Sequence, residues 1–106
     1  MNTFKNAGVA IGTSRTTAYT TPASTQSVIH ALYISNIDGV NDADVTIEVT
    51  VDGGTTYRHI AKTVSVPADA TLVLDKPINM EAGDILGLTA SASGDLEVFV
   101  SILEIS

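Results

Sequence analysis

Strict alternation of apolar and polar residues constrains the fold of this chain more than any other feature of its sequence. In the stretch ADVTIEVTVD, residues 43–52, every second side chain is apolar and the side chains between are Thr, Glu or Asp. Successive side chains of an extended strand point to opposite sides, so this period of two places the apolar groups on one face. The pattern therefore predicts a strand with one buried face and one face in water. The apolar set includes Val45, Ile47, Val49 and Val51.

The preceding stretch SVIHALYISNI, residues 27–37, is apolar at nearly every position. Apolar residues in both phases predict a strand in the middle of a sheet, covered on both sides. The two faces are expected to carry Ile29, Ala31, Tyr33 and Ile37 on one side and Val28, Leu32 and Ile34 on the other.

Further segments of strand character follow at intervals typical of an all-β domain. Turn residues such as Asp38-Gly39 and Gly94-Asp95 separate them. No window of twelve residues carries the 3.6-residue period of a helix. We therefore predict an antiparallel two-sheet β-sandwich of seven or eight strands, with either jelly-roll or immunoglobulin-like topology. The further strands are expected at residues 16–20, 56–66, 71–75, 84–91 and 96–105.

The last predicted strand has apolar residues in both of its phases. Two explanations stay open at this point, because large apolar patches are rarely left bare on soluble monomers. Either the strand lies in the middle of a sheet, or one of its faces is buried by another subunit. One phase holds Leu96, Val98, Val100 and Ile102, and the other holds Phe99, Leu103 and Ile105.

The first 27 residues differ from the rest, because ten of them are Ser or Thr and apolar residues are sparse. We predict an extended N-terminal arm over residues 1–15 and a single sandwich domain over residues 16–106. Such an arm can lie across a neighbouring subunit. The alternative is a frayed terminus followed by an edge strand.

The composition argues against several classes of partner. The formal net charge is −7 and the five Lys and Arg residues are scattered, so no basic run can neutralise phosphates. Nucleic acid and anionic membranes are therefore not expected as partners. The chain has no cysteine, which excludes disulfides, thiolate zinc sites and a cysteine nucleophile. The weak apolar run at residues 1–12 is too short for a signal peptide or a membrane span, so we expect a soluble protein made in the cytoplasm.

The segment VDGGTTYRH, residues 51–59, holds the densest mixture of Gly, Asp, Arg and aromatic residues. A phosphate-binding loop would be followed by a helix, whereas a β-branched strand pattern follows here. Asp-Gly-Gly between two alternating runs instead predicts a hairpin turn. Arg58 and His59 then fall on opposite faces of one strand, and Arg58 is expected to pair with Glu48 or Asp52.

The other candidate sites are weak. The acidic loop at residues 36–44 contains Asp38, Asn41, Asp42 and Asp44, but it lacks the order of an EF-hand, so a solvated loop is favoured and calcium binding stays an open question. His30 and His59 have no metal-binding spacing, and no GxSxG elbow is present. We predict no catalytic residue, no metal ligand and no cofactor, and hence a protein that is not an enzyme.

The order of three long segments resembles small β-rich virion structural proteins of tailed bacteriophages, especially marine and cyanobacterial phages. The resemblance spans nearly the whole chain, and its motifs, such as GTS, VPA and EAGD, are turn and strand features that say nothing about chemistry. The segments are IGTSRTTAYTTPASTQSVIHALYISNIDG, VTIEVTVDGGTTYRHIAKTVSVPADATLVL and INMEAGDILGLTASASGDLEVFVSILEI.

The resemblance implies a repeated component of the virion. A capsid decoration or cement protein is the first expectation, and a neck, tail or baseplate component is the alternative. The expected partners are copies of the chain itself, with a trimer by analogy, and the major capsid or other virion proteins. The contact residues are expected on the arm and on the outer face of the last strand: Phe4, Val9, Ile11, Phe99, Leu103 and Ile105.

Two other classes of function stay open. A carbohydrate-binding module would use the same sandwich fold, but there is no Trp and only Tyr19, Tyr33 and Tyr57 could stack on a sugar. A small hydrolase would need a pocket that gathers acidic residues and histidine.

Overall fold

The structure, a computed structural model, describes all residues from 1 to 106 and consists of strands and loops. Nine strands form, two more than the segments named from the sequence, because residues in the expected arm form a strand and the region after residue 70 contains two short strands. The strands are β1 (Asn2–Ala10), β2 (Thr16–Thr20), β3 (Gln26–Asn36), β4 (Ala43–Thr50), β5 (Tyr57–Val66), β6 (Thr71–Leu74), β7 (Ile78–Met80), β8 (Ile85–Ala90) and β9 (Leu96–Ile105).

The strands form two antiparallel sheets, as predicted. Sheet A has the order β1-β9-β3-β6, with β7 paired to the other end of β3, and sheet B has the order β2-β8-β4-β5. Except at the β4–β5 hairpin and between β6 and β7, each connection crosses from one sheet to the other. This order is that of a jelly roll, so the structure decides between the two topologies that the sequence left open.

The core lies between the two sheets and is built from the alternating residues. Seventeen buried apolar residues form one cluster. The predicted inward phase of β4 is confirmed by Val45, Ile47 and Val49, although Val51 lies beyond the strand and is exposed. The even-numbered apolar residues of β9 are buried as well, namely Leu96, Val98, Val100 and Ile102.

The two faces expected for β3 are wrong beyond its first few residues. The pairing of β3 with β9 shifts register between Ile29 and Ala31, because His30 is an extra residue in a β-bulge. A single inserted residue exchanges the two faces for the rest of the strand. Ile29 therefore shares the core with Leu32 and Ile34, while Tyr33 points outward with Val28.

The N-terminal segment is an edge strand in this structure. β1 pairs with β9 along its whole length, from Asn2 opposite Ile105 to Ala10 opposite Glu97. After β1 ends, the amide of Ile11 donates to the carbonyl of Leu96 at 2.9 Å and the Ile11 side chain enters the core. A contact between residues 1–15 and a neighbouring subunit stays a prediction.

Candidate interaction surface

The outer face of sheet A carries the largest group of exposed apolar side chains. The register of β1, β9 and β3 aligns Phe4, Leu103 and Val28 in one row, and a second row contains Phe99 and Tyr33. Phe4 is 81% exposed, Phe99 47% and Tyr33 40%. We call this surface the apolar face, and its members are Phe4, Val28, His30, Tyr33, Val73, Phe99, Leu103 and Ile105.

The aromatic rings on the apolar face lie in two pairs. The Phe4 and His30 rings lie 6.5 Å apart across Leu103, and the Tyr33 and Phe99 rings lie 6.3 Å apart, both pairs being tilted. These separations fall within the range in which aromatic pairs attract each other.

Four of the six predicted contact residues lie together on the apolar face. They are Phe4, Phe99, Leu103 and Ile105: Phe4 lies opposite Leu103, and Phe99 and Ile105 lie on the same side of β9 as Leu103. Ile11 is the clear exception, because it is 1% exposed and belongs to the core. Val9 also points inward, since it lies in the odd phase of β1, and it packs half-buried against the core. In the single chain Ile11 therefore offers almost no surface to a partner and Val9 offers little, and contact of these two side chains with a partner stays a prediction.

Sequence reasoning missed other members of the face. The sequence placed Tyr33 and Val28 on opposite faces of β3, because it does not reveal the bulge at His30 that brings them to the same face. Val73 joins them because β6 pairs with β3 and places Val73 directly opposite Tyr33. The alternation in TLVLD could have identified Val73 as the outward residue of a strand, but only the strand order places it beside Tyr33.

A polar cluster covers the outer face of sheet B. The Nε of Arg15 lies 3.2 Å from Oε1 of Glu48, and Nε2 of His59 lies 3.5 Å from Oε2 of the same carboxylate. The Arg15 guanidinium also stacks 3.6 Å above the centre of the Tyr57 ring. Gly87 leaves space for the Arg15 stem, because a Cβ at Gly87 would lie only 3.0 Å from Cγ of Arg15.

This cluster corrects one prediction. Glu48 pairs with Arg15 and His59, not with Arg58, because Arg58 lies opposite Val49 and so in the other phase of the strand. The Glu48 carboxylate is almost buried and both of its oxygens accept hydrogen bonds from Arg15. Such a carboxylate ties the β1–β2 loop to sheet B and is poorly placed to take a proton from a substrate.

The VDGG segment is a hairpin connection, as predicted. β4 and β5 pair antiparallel on either side of it, and both Gly53 and Gly54 have positive φ. Oδ1 of Asp52 accepts hydrogen bonds from the amide of Thr56 at 2.9 Å and from the hydroxyl of Thr50 at 2.8 Å. These bonds hold the pKa of the Asp52 carboxyl below its usual value. Asp52 therefore stabilises the turn.

The acidic loop is organised by its own backbone. The Asp38 carboxylate accepts hydrogen bonds from the amides of Val40 and Asn41, which lower its pKa. Partial burial and the neighbouring Asp38 charge raise the pKa of Asp95. No group of three or more His, Asp or Glu side chains is placed to hold a metal ion.

A second polar group lies at the interior margin of the sandwich. The hydroxyl of Tyr19 donates to Oε2 of Glu104 at 2.6 Å, and the hydroxyls of Thr21 and Ser27 lie 2.7 Å apart nearby. Burial and the bond to Glu104 raise the pKa of Tyr19 to about 12. These groups link β2 of one sheet to β3 and β9 of the other.

The surface has four concavities. The most apolar is a groove of about 360 Å³ beside the loop between β6 and β7, lined by Ile60, Val73 and Pro77 among others. None of the four concavities is lined by His or Arg. The structure has no apolar helix of the length that a membrane span requires.

Comparison with known proteins adds information on the fold. No protein-family model and no curated protein sequence matches the chain. Among solved structures, a subunit of the disulfide-linked pili of Bacillus endospore appendages matches with a TM-score of 0.59 at 14% identity, over 100% of this chain and 87% of that one. At this identity the match shows a shared fold, and the absence of cysteine means that this chain cannot form disulfide links.

Two crystal structures of a pentameric capsid protein from metagenomic phage sequences match less closely. Their TM-scores are 0.47 and 0.46, each at 23% identity over 93% of this chain. This chain spans 59% and 63% of their lengths.

Proposed function

We propose that the protein is a non-enzymatic structural component of a tailed-phage virion, and that it acts as a capsid decoration or cement protein. The proposal rests on the apolar face, which is the one large feature of the surface that the fold itself does not use. The sequence resemblance to small phage virion proteins supplies the class of particle. A neck, tail or baseplate position is the alternative within the same class.

The size of the apolar face supports association with a partner. An aromatic side chain buries about 200 Å² when fully covered. With Phe4 81%, Phe99 47% and Tyr33 40% exposed, these three side chains alone offer roughly 340 Å². At about 25 cal/mol per Å², covering them contributes roughly 8 kcal/mol before the cost of association is subtracted. That cost is on the order of 4–15 kcal/mol, so one site alone binds weakly.

Weak single sites suit a repeated particle. When many copies bind to a lattice or to one another, each further contact is effectively intramolecular, and the whole layer binds much more tightly than one copy. The net charge of −7 keeps the free protein soluble and disfavours unspecific contacts between its other surfaces.

The carbohydrate-binding alternative loses support from the structure. Of its three tyrosines, Tyr19 is bound to Glu104 and the Tyr57 ring is covered by Arg15. Tyr33 alone remains with its ring partly open to solvent, and one exposed tyrosine packed against Phe99 is a poor platform for a sugar chain.

The test is binding to particles that lack the protein. Phe99→Asp places a charge at the centre of the apolar face, and we expect co-sedimentation with the particles to fall about tenfold or more. Val51→Asp is the matched control, since Val51 is also exposed but lies in the β4–β5 turn. Equal binding by both variants and the wild type would refute the proposed surface.

Deletion of residues 1–15 is a poor test of the same idea. It would remove β1 from the edge of sheet A, expose the edge of β9 and take Ile11 out of the core. Loss of binding by such a variant would therefore not distinguish a lost contact from a damaged fold.

A further inference from the structure

The four edge strands of the two sheets differ in how well they are protected against pairing with another chain. An exposed strand edge is a template for a new strand unless bulges, prolines, charges or short length block it. β5 has two register shifts, and Thr63 within it has a φ of 48°. β2 is five residues long with a shift after Thr17, and the β6–β7 edge is interrupted by Lys76 and Pro77.

β1 has none of these protections except one charge. It is nine residues long, its register with β9 is unbroken, and it contains no proline. Lys5 is its one charged side chain, in a protein whose net charge is −7. The edge of β1 is therefore the one place where another strand can add to this fold over a full strand length.

Two backbone hydrogen bonds at the ends of β1 show which of its residues bond to β9 and which face away from the sheet. Ile11 donates to the carbonyl of Leu96 at 2.9 Å, and Ser106 donates to the carbonyl of Met1 at 3.1 Å. Bonded and non-bonded pairs alternate along an antiparallel ladder, so the odd-numbered residues of β1 bond to β9. The amides and carbonyls of the even-numbered residues therefore point away from the sheet. These residues are Asn2, Phe4, Asn6, Gly8 and Ala10.

We propose that β1 pairs antiparallel with β1 of a second copy of the chain, centred on Asn6, so that the two A sheets become one continuous sheet. This inference goes beyond the proposed function, because it concerns pairing along the edge of the sheet and does not depend on binding to a particle. A two-fold pair gives a dimer or an even-numbered assembly, in contrast to the trimer expected by analogy.

The second copy is favoured as the occupant because β1 is complementary to itself in one register. With Asn6 opposite Asn6 of the partner subunit, all five outward residues are paired, giving about ten hydrogen bonds at two for each bonded pair. A shift in one direction places Lys5 opposite Lys5 of the partner subunit, which repels. A shift in the other direction leaves Asn2 unpaired.

The same register also matches the side chains. It places Phe4 opposite Gly8 of the partner subunit, and Gly8 already lies beside the Phe99 ring, 4.0 Å from where its Cβ would be. A concavity of about 180 Å³ lies there, lined by Gly8, Tyr33 and Phe99 among others. An aromatic ring that covers a strand glycine is a known way to stabilise a sheet. The 81% exposure of Phe4 in the single chain would then be reduced by the pairing.

The test measures self-association of the full chain by sedimentation equilibrium. Asn6→Pro removes an outward amide that β9 does not use, and Asn6→Ala keeps that amide. We expect a concentration-dependent dimer for the wild type and for Asn6→Ala, and a dimer weakened about tenfold or more for Asn6→Pro. A wild type that stays monomeric at millimolar concentration, or an Asn6→Pro variant that dimerises normally, would overturn the proposal.

Hydrogen exchange gives a second readout that does not depend on any variant. The amides of Phe4, Asn6 and Gly8 should become protected as the concentration rises, whereas those of Lys5 and Ala7 should be protected at every concentration. Protection of the even-numbered amides that does not depend on concentration would contradict the pairing. Val73→Asp changes an exposed residue of the apolar face on β6, at the opposite edge of sheet A from β1. This variant should lose particle binding and keep the dimer, so failure of the proposed function and failure of this inference can be told apart.

Discussion

Replacing Arg15 by Met tests the account of the outer face of sheet B. The change removes the charge that faces Glu48 at 3.2 Å but keeps an unbranched apolar stem to lie over Gly87. Removal of one partner from a buried ion pair costs about 3–5 kcal/mol. The Arg15 side chain is 44% exposed, so water can reach part of the carboxylate that it leaves, and we reduce the expected loss of unfolding free energy to about 2 kcal/mol.

The assay is urea denaturation at 25 °C with Arg58→Met as the matched control. Arg58 is exposed and makes no ion pair, so its replacement should change the unfolding free energy by less than about 0.5 kcal/mol. Adding Glu48→Gln to Arg15→Met should recover part of the loss, because the unpaired buried charge is then absent. Equal costs for the two arginine variants, or no recovery in the double variant, would refute the reasoning.

Three further predictions concern single residues. Gly87→Ala should lower the unfolding free energy by about 1–2 kcal/mol in urea denaturation, because its Cβ would lie 3.0 Å from the Arg15 stem; an unchanged midpoint would contradict this. The pKa of Tyr19 is raised from 10.0 to about 12 because the folded state favours the protonated hydroxyl. The unfolding free energy should therefore fall as pH rises between these values, and it should fall less in Tyr19→Phe. The pKa of Asp52 is lowered from 3.8, so the ionised carboxylate stabilises the folded state above that pH, and this stabilisation is lost as pH falls through the lowered pKa. When the melting temperature is measured at decreasing pH, Asp52→Asn should therefore show a smaller decrease than the wild type.

The alternation of residues in the sequence predicted the core well where strands are regular. β4 and β9 bury the apolar phase that their sequences indicate, because each is paired through that stretch with a period of two. The same prediction was wrong for β3, because nothing in SVIHALYISNI marks His30 as the extra residue of a bulge. A bulge is set by the partner strand, which local sequence does not identify.

Long-range contacts account for the other differences. The sparse apolar residues of the first segment favoured an arm, yet β1 forms because β9, more than eighty residues away, offers a complete partner strand. Arg15 and Glu48 are 33 residues apart, so a pairing based on the nearby Arg58 was the natural but incorrect expectation. The apolar face itself was found in part, through the outward residues of β9, and the jelly-roll order added the rest.

The most direct test of the central claim is radical footprinting of the isolated chain against intact virions that contain it. If the apolar face, and not a pocket, does the biological work, that face is covered in the particle. Phe4, Tyr33 and Phe99 should therefore be modified in the isolated chain, at a concentration too low for it to dimerise, and protected in the particle, while Val51 should react equally in both. Protection confined to sheet B or to the loops, with Phe4 and Phe99 still reactive in the particle, would contradict it.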